Sequence, residues 1–183
     1  MPPPTAGFMN YFAYGSNLNL EAVADWCRHY GLRSPALRNG KPAILDNYRM
    51  GFPIYSEYWG GGIADVVYDP GKYVCGVLFE VQDRDLETLD RKVGRQVDAS
   101  GTEIGIYGRV EVRCRHTGGG PEVLAWTYAG VDPAKFDVPP TENYVDSLVK
   151  GCYENGLTSM WIEYLRSFRT QPGKKPRPPV GQS

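Results

Sequence analysis

Five segments in the middle of this chain, 43–52, 62–69, 73–82, 106–115 and 122–129, are rich in Val, Ile, Tyr and Phe, and turn formers such as Asp69-Pro70-Gly71 and Thr117-Gly118-Gly119-Gly120 separate them. β-Branched and aromatic side chains suit a pleated, half-buried surface, and glycine and proline interrupt it, so the pattern demands a sheet. An apolar run at 8–13 adds another strand, for about six in all. Helices break the series. Leu20, Val23, Ala24, Cys27 and Tyr30 form one apolar stripe that Gly31 closes. A shorter helix carries Asp83, Asp85 and Glu87 near its start, Leu86, Leu89 and Val93 on one face, and Gly94 at its end. Residues 143–155, stopped by Gly156, and 159–168 read as two more helices. Strands and helices mixed in this way make an α+β fold around a small barrel-like sheet.

The chain has 183 residues, 42% of them hydrophobic and 13% aromatic, enough to bury a core without disulfide or metal staples. One domain at 8–170 is expected. The segments 1–7 and 171–183 are proline-rich, lack apolar periodicity, and read as disordered tails. A formal net charge of −1 offers no footprint for nucleic acid or an anionic membrane, and no apolar run is long enough to cross a bilayer. A small-molecule substrate is left as the partner, with a monomer or homodimer as the assembly. Cys27, Cys75, Cys114 and Cys152 are widely spaced and fall at apolar positions, so buried free thiols and a reducing, cytoplasmic compartment are expected.

Tyr14-Gly15-Ser16-Asn17-Leu18 joins the first strand to the first helix. Such a loop leaves backbone N–H groups free at the positive end of a helix, where they can hold a carboxylate or an oxyanion. Ser16 and Asn17 are also good N-cap residues, so an ordinary capped turn is the competing reading.

At this point the chain resembles a known family. The Tyr14–Leu18 loop, Gly62-Ile63-Ala64-Asp65-Val66-Val67 with Asp69-Pro70-Gly71, Val74-Cys75-Gly76-Val77-Leu78-Phe79 and Asp85-Leu86-Glu87-Thr88-Leu89-Asp90 occur in the order found in the γ-glutamylcyclotransferase superfamily, which includes the AIG2-like proteins. Tyr107-Gly108-Arg109 is similar to its Tyr-x-Arg strand, and Tyr144 through Glu154-Asn155-Gly156-Leu157 to its closing helix. The resemblance covers about residues 9 to 168. It implies a mixed β-barrel with flanking helices and a pocket lined by Tyr14, Gly15, Ser16, Asn17, Leu18 and Tyr107. It also implies a lyase or acyltransferase that needs no cofactor and cyclises a γ-glutamyl amide or amine, or acts on a related small amide, releasing 5-oxoproline; a role in natural-product or amine metabolism is compatible with that chemistry and is not specified by the residues. The substrate's α-amine attacks its own γ-carbonyl, so holding the glutamyl group folded does much of the work. A base must still move the amine proton.

That base is where the chain departs from the resemblance. The family's glutamate closes an LDxxEG signature, whereas this chain reads Leu89-Asp90-Arg91-Lys92-Val93-Gly94. Valine at 93 removes a group that contributes a rate factor of about 10²–10⁴. Two readings follow. In one, a relocated base comes from the segment 95–105, which is longer than the family's usual link and carries Asp98 and Glu103; each is also readable as a solvated loop acid. In the other, the pocket persists without catalysis as a binder of a small molecule or partner protein, and Val93 extends the Leu86 and Leu89 stripe.

Other constellations carry less chemistry. His29 and His116 are the only histidines, and Cys27 lies two helical residues from His29 on a different face, so no metal site is expected. Ser16 as a nucleophile lacks a histidine partner in any motif. Phe52, Tyr55, Tyr58 and Trp59, followed by Gly60-Gly61-Gly62, read equally as a rim over the pocket or as core or oligomer packing.

Overall fold

The computed structural model describes residues 7–173. Five strands, β1 (Met9–Ala13), β2 (Arg38–Ser56), β3 (Gly61–Val81), β4 (Tyr107–His116) and β5 (Val123–Gly130), close into a barrel in the order β1-β3-β2-β4-β5. Only the β1–β5 pairing is parallel; the others are antiparallel, so the barrel is mixed. Four helices flank it: α1 (Leu20–His29), α2 (Asp83–Val93), α3 (Glu142–Glu154) and α4 (Ser159–Arg166). The core runs from Phe12, Val74 and Val77 on the strands to Leu86 and Leu89 on α2 and Leu148, Ile162 and Leu165 on α3 and α4.

The strand count is one lower than the sequence pattern implies. Asp69-Pro70-Gly71 does not divide two strands, because β3 runs through it. Tyr48 pairs with Tyr68 and Asp46 with Tyr73, so residues 69–72 bulge out opposite Asn47 alone. Gly71 takes φ +82° there, and its N–H donates to Asn47 Oδ1 at 3.2 Å. A bulge accommodates the turn former without ending the ladder, and bends the long β2–β3 ribbon so that it can wrap the barrel.

The helices end where the local signals place them. Thr141 and Thr158 cap α3 and α4 through their side chains, whereas α1 is capped by Asn19 and not by Ser16 or Asn17, because a 3-10 turn at 16–18 precedes it. Gly94 ends α2 at φ +69°, where Arg95 N–H returns to the Asp90 carbonyl. All four cysteines are free and buried. Gln171, placed in the C-terminal tail by its composition, is instead pinned: its N–H donates to Pro140 and its carbonyl accepts from Glu142 N–H. The remaining tail expectations, for 1–6 and 174–183, lie outside the described residues.

Candidate functional site

The 14–18 loop leaves the barrel at the end of β1 and packs against Ala64 of β3 and Tyr144 of α3. Ala64 is held between two phenols: its N–H donates to Tyr144 Oη at 2.9 Å, and its carbonyl accepts from Tyr107 Oη at 2.5 Å. These bonds satisfy backbone groups where the β2–β3 register shifts between Gly51 and Ile54. A Cβ on Gly15 would lie 3.6 Å from Ala64 Cβ and 3.7 Å from Tyr144 Oη, so this loop faces the same two residues. Trp59 and Phe52 meet the Tyr144 ring edge-on at 5.1 and 6.4 Å, which places part of the aromatic cluster as the wall behind it, while Tyr55 is exposed.

Each loop residue has a distinct place. Tyr14 is buried and donates to the Tyr128 carbonyl at 2.6 Å. The Ser16 N–H lies near Tyr144 Oη and lowers its pKa, and the Ser16 hydroxyl accepts from Lys92 Nζ at 3.3 Å. Asn17 is buried; its amide donates to Tyr11 Oη at 2.9 Å, and its Oδ1 has no partner. Leu18 sits in the core, with its backbone against Gly151 of α3 and its carbonyl accepting from Asn155. Leu18 N–H returns to the Gly15 carbonyl, leaving the N–H groups of Gly15 and Asn17 without a protein acceptor among the described residues.

Tyr144 carries the chemistry that this packing exposes. A phenol oxygen has two acceptor lone pairs and one proton. One lone pair of Tyr144 is filled by Ala64 N–H, the Ser16 N–H lies near the oxygen, and the phenol proton has no acceptor among the described residues. Burial raises the pKa of Tyr144, as it does for Tyr11, Tyr14, Tyr107 and Tyr128, so these phenols stay neutral donors at ordinary pH. Asp65 is also buried, which raises its pKa against the hydrogen bonds of the Gly130 and Val66 N–H groups; through Gly130 it ties β3 to β5.

The end of α2 forms the neighbouring wall. Asp90 accepts from Arg109 Nε and Nη2 at 2.8 and 2.7 Å, from Arg95 Nη1 at 3.0 Å and from Tyr128 Oη at 2.7 Å. It is a structural hub that joins α2 to β4 and β5. Val93 is half-buried and packs against the core on the Leu86 and Leu89 side. The two loop acids lie in an ordered excursion in which Val97 and Glu103 form a bridge. Asp98 is exposed; its carboxylate accepts from the Ser100 hydroxyl and from the Ser100 and Thr102 N–H groups, which lowers its pKa. Glu103 Oε1 pairs with Arg95 at 2.7 Å and accepts from Arg109 N–H, while Oε2 is buried without a partner.

The structure thus brings Gly15 and Tyr107 together at Ala64, turns Tyr14 to the Tyr128 carbonyl and Ser16 to Lys92, and sets Asp98 and Glu103 in contacts of their own. His29 packs on Tyr30, and no group of three or more His, Cys, Asp or Glu among the described residues could hold a metal ion. Two residues of the site escape the sequence pattern. Tyr144 reads only as part of a closing helix, and Lys92 stands in the sequence only as the residue before Val93, yet its amine reaches a serine 76 positions away.

Comparison with known proteins agrees with this geometry. A model of the AIG2-like family matches residues 73–165. The chain belongs to that family, within the γ-glutamylcyclotransferase superfamily. It is 31% identical to the γ-glutamylcyclotransferase of Bos taurus and 30% identical to that of Homo sapiens, each over 162 residues covering 86% of this chain and 77% of the relative. A solved γ-glutamyl cyclotransferase structure superimposes with a TM-score of 0.72 at 28% identity, covering 90% of this chain and 89% of the other. YkqA from Bacillus subtilis, at 20% identity and a TM-score of 0.66, shares the fold. Among the described residues no helix is long and apolar enough to cross a membrane.

Proposed function

We propose that this AIG2-like protein releases 5-oxoproline and a free amine from a γ-glutamyl amide or γ-glutamyl amine, as the names of its relatives imply for them. The observation that carries the reading is the free proton of Tyr144 beside Gly15. Cyclisation turns the γ-carbonyl oxygen into an oxyanion, and a desolvated, neutral phenol whose proton has no protein acceptor can donate to it. The N–H groups of Gly15 and Asn17 add two donors at the same loop. Tyr107 fixes Ala64, and through it the wall that keeps the glutamyl chain folded for attack by its own amine. None of these steps needs a metal or organic cofactor.

The test is direct. The purified protein is incubated with a panel of γ-glutamyl amino acids and γ-glutamyl amines, and 5-oxoproline is measured by mass spectrometry. Release from at least one member, lost on substitution of Tyr144, is the expected result; no release from any of them overturns the proposal. A second reading, a pocket that binds without catalysis, is favoured by one observation: Val93, where the resemblance would put the family's base, is a half-buried apolar residue packed against the core. Under that reading, 5-oxoproline or a γ-glutamyl amine binds in calorimetry while no amine is released.

A further inference from the structure

Lys92 has no role in the fold that its surroundings explain. Its amine donates to Ser16 Oγ at 3.3 Å, and the Ser16 N–H lies near Tyr144 Oη, so a single loop residue stands between the lysine and the phenol whose proton is free. It stands one position before Val93 on the last turn of α2, whose placement the Asp90 hub secures against β4 and β5. No carboxylate pairs with it among the described residues. On its own helix, Asp85 is bonded to Arg33, and Asp90 to Arg109 and Arg95. From α1 the titratable group facing it is Cys27, whose thiol burial pushes up and keeps neutral. A half-buried ammonium without a counter-ion is costly, and a lysine kept for solubility would turn its amine to water.

We propose that Lys92 is the proton-transfer group of this site, supplying from the adjacent helical position what Val93 cannot, with Ser16 as its positioning residue. The inference rests on the cyclotransferase reading above. Desolvation pushes the Lys92 amine down to about 8, so a substantial neutral fraction is present near neutral pH, as a base requires. The negative end of the α2 dipole favours the protonated form and opposes this shift. In the reaction, the neutral Nζ takes one proton from the substrate's α-ammonium. The freed amine forms a bond to the γ-carbonyl carbon and closes the five-membered ring, with the oxyanion facing Tyr144. On collapse the bond to the leaving nitrogen breaks and that nitrogen takes the proton from the Lys92 ammonium; the neutral Nζ then takes the second proton from the ring nitrogen and passes it to the released amine, which departs as an ammonium. Lysine returns to its neutral form, and no further reactant is consumed.

The experiment compares Lys92→Met and Lys92→Arg with the parent protein on whichever γ-glutamyl substrate it turns over, and follows acylation of Lys92 by a small anhydride across pH 6–11 with peptide mass mapping. The proposal expects half-maximal Lys92 reactivity near pH 8, a rate that rises through the same pH in the parent, and loss of about 10²-fold or more in kcat in both variants with KM within about threefold. Arginine keeps the charge but cannot give up its proton, so an active Lys92→Arg with a raised KM in Lys92→Met would make Lys92 a mere anchor for the substrate carboxylate and overturn the proposal. Titration of Lys92 as an ordinary lysine overturns it as well. If the parent turns over nothing in the panel, the cyclotransferase reading fails and this role with it; if the parent and Lys92→Arg are both active, only this role fails.

Discussion

Asp90→Asn isolates the hub that sets α2, and with it Lys92 and Val93, against the barrel. Asparagine keeps the shape but removes the charge that answers two guanidinium groups, those of Arg109 and Arg95, each 21% exposed. Deleting one partner of a fully buried pair costs about 3–5 kcal/mol, whereas exposed pairs are worth about 0–1 kcal/mol. Asp90 is 14% exposed and Arg95 retains Glu103, so about 2–3 kcal/mol is expected here, or about 5–10 °C in Tm for a domain of this size. The pH dependence has a definite sign. Burial alone would raise the Asp90 pKa, but hydrogen bonds from Arg109 and Tyr128 and the charge of Arg109 outweigh it and hold the carboxyl below its usual value. Its contribution is therefore complete above the unfolded-state pKa of about 3.9 and is lost as pH falls through the folded-state value. Denaturant unfolding of both proteins at pH 7, 5 and 3 should show a constant gap between the first two and a narrowing gap at the last. A difference under about 1 kcal/mol at pH 7, or one that persists unchanged into acid, would refute the hub.

Tyr144→Phe leaves the N–H of Ala64 without its acceptor, so it should cost about 1–3 kcal/mol in unfolding experiments and about 10²-fold or more in kcat, the second effect being absent if Tyr144 only braces the loop. Val93→Glu introduces a carboxylate into a half-buried position, at a cost of a few kcal/mol and with a raised pKa, and in the Lys92→Met background it should restore 5-oxoproline release at least tenfold, measured by mass spectrometry. Glu103→Gln and Asp98→Asn should keep turnover within about threefold, because one carboxylate is committed to Arg95 and the other caps its own turn; a fall of about 10²-fold in either would move the base to that residue.

Much of this protein is written locally and can be read without coordinates. The apolar stripe of Leu86, Leu89 and Val93 and the stop at Gly94 define α2, because helix periodicity and a left-handed C-terminal residue depend on neighbours within a few positions. The Tyr14–Leu18 loop is legible for the same reason, and so is the expectation that valine at 93 departs from the family's pattern, because it rests on a short string of residues. What the tertiary structure alone decided are pairings between distant segments. Asp69-Pro70-Gly71 carries every local sign of a turn, yet the β2 register makes it a bulge within β3. The proton of Tyr144 became available only when α3 met Ala64 and Ser16, and the Lys92 amine found its partner only when α2 closed on the loop after β1. Periodicity records which face of an element is buried; which distant group meets that face is set by barrel closure, whose register and bulges no local window of sequence contains.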